Sequence, residues 1–204
     1  MVAELKTSST KADAFLGAGA YYVEERRSAI SGGNRSLLYD EAGQPAGALI
    51  QRTSFMNRFW RFFLKSALLP FRVELHDTAG KPLAGIRRGW TIVRSRTEII
   101  DGHENVIGFV KHKEKARKPR IKVFNGEGKK IGEVTGSKGN WDMNIIDQEY
   151  MRLGQIVEFA PDTTPGDTRG KDTYFVSIDG NGASEERKLL LIVAIAVDRL
   201  IEHH

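Results

Sequence analysis

Leu189-Leu-Leu-Ile-Val-Ala-Ile-Ala-Val197 is the strongest apolar run in a chain that is otherwise polar and rich in glycine. Glu185, Glu186, Arg187 and Lys188 precede it, and Asp198 and Arg199 follow it. At helical rise these nine residues cover roughly 14 Å, against a bilayer hydrocarbon core of about 30 Å. Extension through Leu200 and Ile201 would place an Asp and an Arg in lipid. The run is therefore read as a buried element of a protein core. Its β-branched residues, Ile192, Val193, Ile195 and Val197, disfavour helix, and a central strand is the alternative. The flanks favour helix over about 185–201. Ser184 is an N-cap candidate with Glu185 and Glu186 in the first turn, and Arg199, His203 and His204 lie at the other end. A helix apolar on every face must be surrounded on every face.

The rest of the chain supplies material for such an enclosure. Its 204 residues suit one sizeable core, read here as a single domain over 15–204 behind a flexible N-terminus at 1–14. The absence of cysteine excludes disulfides and thiolate metal sites. Lys6, Lys11 and Asp13 precede only a weak apolar stretch, so no signal peptide is expected and the expected location is cytoplasmic. A net charge of +5 points modestly to anionic partners.

A hairpin motif recurs along the sequence. The clearest copies are Leu38-Tyr-Asp40-Glu-Ala-Gly43-Gln-Pro-Ala-Gly47 and Leu75-His-Asp77-Thr-Ala-Gly80-Lys-Pro-Leu-Ala-Gly85, followed by Val123-Phe-Asn125-Gly-Glu-Gly128-Lys-Lys-Ile-Gly132. Looser copies centre on Asp101, Asp147 and Asp179. Asp or Asn caps such a turn with its side chain, and Gly supplies positive φ. The later glycine suits a bulge or a close backbone approach. Six anchors predict six hairpins and twelve strands. A long antiparallel meander removes its edges by closing, and a barrel of about twelve strands is too wide for its own side chains to fill. The expected fold is thus a mainly β, closed antiparallel barrel of about twelve strands around the hydrophobic C-terminal helix.

In this arrangement the sequence resembles the tubby C-terminal-like superfamily, and within it the LURP-one-related and phospholipid scramblase-like proteins. The resemblance is carried by Tyr21-Tyr-Val-Glu-Glu-Arg26, the Asp40-Glu-Ala-Gly43 turn, the basic-apolar connector from Arg58 to Leu69, and the closing segment Leu189 to Asp198. It spans roughly residues 15–201. It implies a twelve-stranded barrel around a hydrophobic C-terminal helix, and either phosphoinositide headgroup binding or calcium-dependent lipid movement. The chain departs from the scramblase pattern, because Gly170 and Asp172 stand where two acids are expected and no cysteine is available for acylation.

Two basic segments carry the candidate chemistry. In Asn57-Arg-Phe-Trp60-Arg-Phe-Phe-Leu-Lys65, the residues Arg58, Arg61 and Lys65 share one face of a short helix. Trp60 and Phe63 lie on a neighbouring apolar stripe, an interfacial composition suited to anionic lipid. The alternative is a helix packed on the barrel with its basic side solvated. If strand geometry continues from Val106, then Lys111, Lys113, Lys115 and Arg117 also share a face. Their repulsion would be relieved by phosphates, or the segment is simply a solvated basic hairpin. Arg87-Arg88 and Arg94-x-Arg96 form a weaker third cluster.

Catalytic motifs are missing: there is no Gly-x-Ser-x-Gly and no His-Glu-x-x-His. Gly166 to Lys171 is one residue short of a phosphate loop, and Asp179 to Ser184 departs from a calcium loop at its fifth and sixth positions. His76, His103 and His112 have no ligand spacing, and His76-Asp77 reads as part of a turn. The expectation is a non-enzymatic module without cofactor or metal. Its partners would be anionic phospholipid or phosphoinositide headgroups, with possible peripheral membrane contact. Lipid scrambling and nucleic-acid binding are the alternatives.

Overall fold

The computed structural model describes residues 15–26, 35–51, 70–89, 97–112, 120–137, 142–158, 173–179 and 185–202. Twelve strands follow one another: β1 (Ala20–Arg26), β2 (Arg35–Tyr39), β3 (Pro45–Gln51), β4 (Phe71–Asp77), β5 (Pro82–Arg88), β6 (Thr97–Asp101), β7 (Val106–His112), β8 (Arg120–Asn125), β9 (Lys130–Ser137), β10 (Asp142–Ile146), β11 (Arg152–Glu158) and β12 (Thr173–Ile178). Each pairs antiparallel with its sequence neighbours, and β1 pairs with β12 from Ala20↔Ser177 to Glu24↔Thr173, so the barrel is closed. The C-terminal segment is helical, as α1 (Glu185–Ile195) and α2 (Val197–Glu202). The i→i−4 bonds Ala196 N to Ile192 O and Leu200 N to Ala196 O carry the backbone across the junction. No helix among the described residues is long and apolar enough to cross a membrane.

The apolar run is buried on every face. Leu189 to Val197 all belong to one core with the inward residues of the wall, among them Val23, Leu38, Val73, Ile86, Ile99, Val123, Ile145, Ile156 and Val176. Burial of each such aliphatic side chain stabilises by about 1.5–3 kcal/mol, which outweighs the weak helix propensity of β-branched residues.

Five of the six expected hairpins are present, and their loops share one geometry. In each, the anchor's amide donates to the carbonyl of the residue four positions on and so closes a three-residue loop, as in Asp40 N to Gln44 O (2.9 Å) and Asn125 N to Lys129 O (3.0 Å). The anchor's Oδ1 accepts the amide four residues later in all five: Gln44, Lys81, Asn105, Lys129 and Met151, at 2.8–2.9 Å. The residue before that amide has positive φ: Gly43, Gly80 and Gly128, but also Glu104 (70°) and Tyr150 (64°). A bulge then follows at the same place in every hairpin, leaving Ala46, Leu83, Ile107, Ile131 or Leu153 as the extra residue. All five are apolar and close the core at this end.

At two hairpins the glycine after the bulge is what admits the helix. A Cβ at Gly132 would stand 2.6 Å from the Ile146 carbonyl oxygen and 3.1 Å from the Leu190 side chain, and one at Gly108 would stand 3.1 Å from Leu189. In the second hairpin this position is Ala84, opposite Leu75, rather than Gly85.

The sixth anchor is not a hairpin. Asp179 follows β12, its amide bonded to the Leu153 carbonyl at 2.6 Å, and leads to α1. Twelve strands arise instead from five hairpins plus β1 and β12, which find each other across the whole chain. Strand alternation therefore puts all five tight turns, and the entry to α1, at one rim. The connections 27–34, 52–70, 89–96, 113–119, 138–141 and 159–172 all start and end at the opposite rim.

Candidate anion-binding surface

Lys111 lies on β7 with its side chain outward and exposed, as the alternation from Val106 predicts. The strand ends one residue later at His112, so Lys113, Lys115 and Arg117 lie outside the described residues. Arg58, Trp60, Arg61, Phe63 and Lys65 lie outside them as well. Their flanking residues, Gln51 and Pro70, belong to the loop rim, as do His112 and Arg120 on either side of 113–119.

Register supplies neighbours that sequence spacing does not reveal. Lys111 stands directly opposite Lys122 on β8, and Lys122 stands opposite Glu133 on β9. Arg120 reaches Glu133 through Nε at 3.3 Å, and Lys130 reaches it through Nζ at 3.0 Å. Two cations, Arg120 and Lys130, thus hold a single carboxylate that is itself 1% exposed, with Lys122 on the neighbouring strand and Lys111 one strand further. Two lysines directly opposed across strands repel by fractions of a kcal/mol to about 1 kcal/mol. The Lys111 ammonium sits 4.7 Å from the centroid of the Phe124 ring, and Lys130 sits 5.6 Å from that of Tyr150. Such cation–π contacts fix the cations against the wall without neutralising them. The surface can receive a multivalent anion by exchanging like-charge repulsion for charge-assisted hydrogen bonds.

The third basic cluster does not form a surface. Arg87 points outward but is bound to Glu98 at 2.9 Å and to Glu104 at 3.1 Å. Arg72 bridges Glu74 and the same Glu104. Arg88 faces the interior, where burial pushes its guanidinium below its ordinary value. Arg94 and Arg96 lie outside the described residues. A sequence pair of adjacent arginines on a strand is split by the pleat, one to each face. His76 is part of the outer network beside the Asp77 turn: Nδ1 lies 2.8 Å from the Gly80 carbonyl and Nε2 lies 2.9 Å from Glu74.

Inside the barrel, the polar contacts of the helix converge on the strands that close it. Arg187 donates to the carbonyls of Gly17 and Ile178, both at 3.0 Å. The Tyr174 hydroxyl donates to the Ile195 carbonyl at 2.7 Å. Arg199, expected at the helix end as a favourable charge, turns inward instead and is 1% exposed. It pairs with Glu25 at 2.6 Å and Asp198 at 3.3 Å, and donates to Ser36 at 3.1 Å. These contacts join α1 and α2 to β12, β1, β2 and the segment before β1.

Among solved structures, the chain is similar to a crystal structure of a protein from Arabidopsis thaliana. The TM-score is 0.56 at 13% identity, over 93% of this chain and 96% of the other. At that identity the likeness is one of fold. No family model matches the sequence, and no curated protein does.

Proposed function

We propose that this barrel is a non-enzymatic module that binds anionic phospholipid or phosphoinositide headgroups at a membrane surface, as a tubby-like protein of the LURP-one-related kind. The observation that supports this reading is the outward set Lys111, Lys122, Arg120 and Lys130 on β7 to β9, with the first two directly opposed and the last two bound to one buried carboxylate, where β7 and β8 flank the connection bearing Lys113, Lys115 and Arg117. Arg58, Arg61 and Lys65, with Trp60 and Phe63, add basic and interfacial residues in a connection of the same rim. Each cation near an anionic surface contributes about 1 kcal/mol, falling off within a Debye length.

Lipid scrambling is disfavoured on this reading. It would require the helix to leave a core in which Leu189 to Val197 are buried, and to part Arg199 from Glu25.

Vesicle sedimentation tests the proposal. The wild-type chain is expected to sediment with phosphatidylserine-containing vesicles and not with neutral ones, and Lys111→Glu with Lys122→Glu to reduce binding severalfold. Binding indifferent to anionic lipid would sink the reading, and salt-sensitive binding to RNA or DNA with no lipid preference would favour the nucleic-acid alternative.

A further inference from the structure

Asn125 is the exception among the five hairpin anchors. The other four, Asp40, Asp77, Asp101 and Asp147, are carboxylates, yet all five accept the amide four residues later through Oδ1 at 2.8–2.9 Å. The turn asks its anchor for one acceptor oxygen, which a carboxylate and a carboxamide both supply. What the carboxamide adds is reactivity. Gly126 follows it, and glycine has no Cβ to hinder its backbone nitrogen from closing on the preceding side chain.

The folded turn leaves that approach open. Asp40, Asp77 and Asp101 each hold a second amide through Oδ1, those of Ala42, Ala79 and His103. The Asn125 side chain is held by the Lys129 amide, at 2.9 Å. The backbone bonds of the loop run from the Asn125 amide to the Lys129 carbonyl and from the Gly128 amide to the Asn125 carbonyl, both at 3.0 Å; neither engages the Gly126 amide. Gly126, Glu127 and Gly128 are all exposed. A hydrogen bond such as that to Lys129 contributes about 0.5–1.5 kcal/mol net. The side chain therefore leaves it by opening of one exposed loop, far short of global unfolding.

We propose that Asn125 is a site of spontaneous deamidation in the folded protein, which turns the exceptional anchor into the residue that the other four carry. The Gly126 nitrogen gives its proton to solvent base and attacks Cγ of Asn125. The bond from Cγ to the side-chain nitrogen breaks, and that nitrogen takes up a proton and leaves as ammonia, so a cyclic succinimide remains. Water then opens the ring. Cleavage of the new Cγ–N bond gives aspartate, and cleavage of the original peptide C–N bond gives isoaspartate.

The fold treats the two products differently. Aspartate keeps the backbone and offers the Lys129 amide the same acceptor. Isoaspartate routes the main chain through Cβ and Cγ and takes the old carbonyl, acceptor for Gly128, out of the chain. Either product lowers the net charge of +5 by one unit, in the hairpin that joins the strands of Lys122 and Lys130. The inference does not depend on the lipid-binding reading.

The test incubates the full-length protein at physiological temperature in mildly alkaline buffer and follows the tryptic peptide Val123–Lys129 by mass spectrometry, with chromatographic separation of Asp from isoAsp. An unincubated digest sets the baseline. The peptide is expected to gain, progressively, the mass of OH in place of NH2. Conversion should be severalfold slower in Gly126→Ala, whose Cβ meets nothing nearer than the Ile107 carbonyl oxygen at 3.6 Å but crowds ring closure. Asn125→Asp should keep the wild-type thermal midpoint.

If a synthetic peptide of the same sequence converts while the protein does not, the folded turn protects Asn125 and the proposal fails. Equal rates in wild type and Gly126→Ala would remove the Gly126 nitrogen as the attacking group. A clear drop in the midpoint of Asn125→Asp would overturn the claim that the fold accepts the product.

Discussion

At the turn rim, five loops repeat one geometry, with an Asp or Asn anchor, a residue of positive φ, an apolar bulge and a small residue after it. At the loop rim, the connections run from four to nineteen residues and share no pattern. The interiors differ as well. Towards the turns, the core is closed by Leu83, Ile131 and Leu189. Towards the loops, Glu25, Ser36, Gln51, Arg88, Thr97, Asp198 and Arg199 are buried. The comparison teaches that one end supplies the repeated architecture that shapes the barrel. The other holds its buried ion pair and the connections of unequal length.

The largest test of this contrast is Arg199→Ala. It leaves Glu25 buried without its guanidinium and should cost about 3–5 kcal/mol, read as a lower urea midpoint. The double change Arg199→Met, Glu25→Leu should recover most of that loss. If it does not, the ion pair positions the closing strands in a way that packing cannot replace.

At the other end, Gly132→Ala places a methyl between the Ile146 carbonyl and Leu190 and should cost about 1–3 kcal/mol. Equal stability would mean that the helix is free to shift in the barrel, contrary to the close approach described.

Tyr150→Gly works in the opposite direction. Relief of positive φ at a non-glycine residue is worth about 1–2 kcal/mol, and the loss of the ring beneath Lys130 removes about 0.5–1 kcal/mol. The expected outcome is a small net rise in thermal midpoint. Glu104→Gly, at the same turn position, also removes the contacts to Arg72 and Arg87 and should show no such rise.

The smallest effect concerns acid. Burial acts to raise the carboxyl of Asp101, but hydrogen bonds from Asn105 and the His103 amide outweigh it and hold it below its ordinary value. Its contribution is therefore present above the unfolded value of about 3.9 and is lost as pH falls through the lower folded value. Asp101→Asn, which imitates the Asn125 turn, should flatten the fall in stability below about pH 4 and remove the small contribution of the carboxylate at pH 7. An unchanged acid limb would assign that limb to other carboxylates.

The turns were legible from sequence because their chemistry is local: an Oδ1 bonded to an amide four residues away, and a glycine where φ is positive. The sixth anchor misled for the same reason. Asp179 sits in a similar local sequence, but its amide is taken by Leu153 on a different strand. Of the candidate surface, only Lys111 could be placed on an outward face by alternation alone. Lys122, Arg120 and Lys130 join it through a register fixed across β7, β8 and β9.

Sequence by itself determined that Leu189 to Val197 is too short to cross a bilayer and too apolar to lie at a surface. Together with the repeated turn residues, it also pointed to a closed barrel around a helix. The tertiary structure alone decided that β1 closes on β12, that Arg199 points inward to Glu25, and that the five tight turns fall at one rim. Composition and periodicity are properties of neighbouring residues. Closure and the pairing of Lys111 with Lys122 depend on strands whose order and direction exist only once the chain has folded.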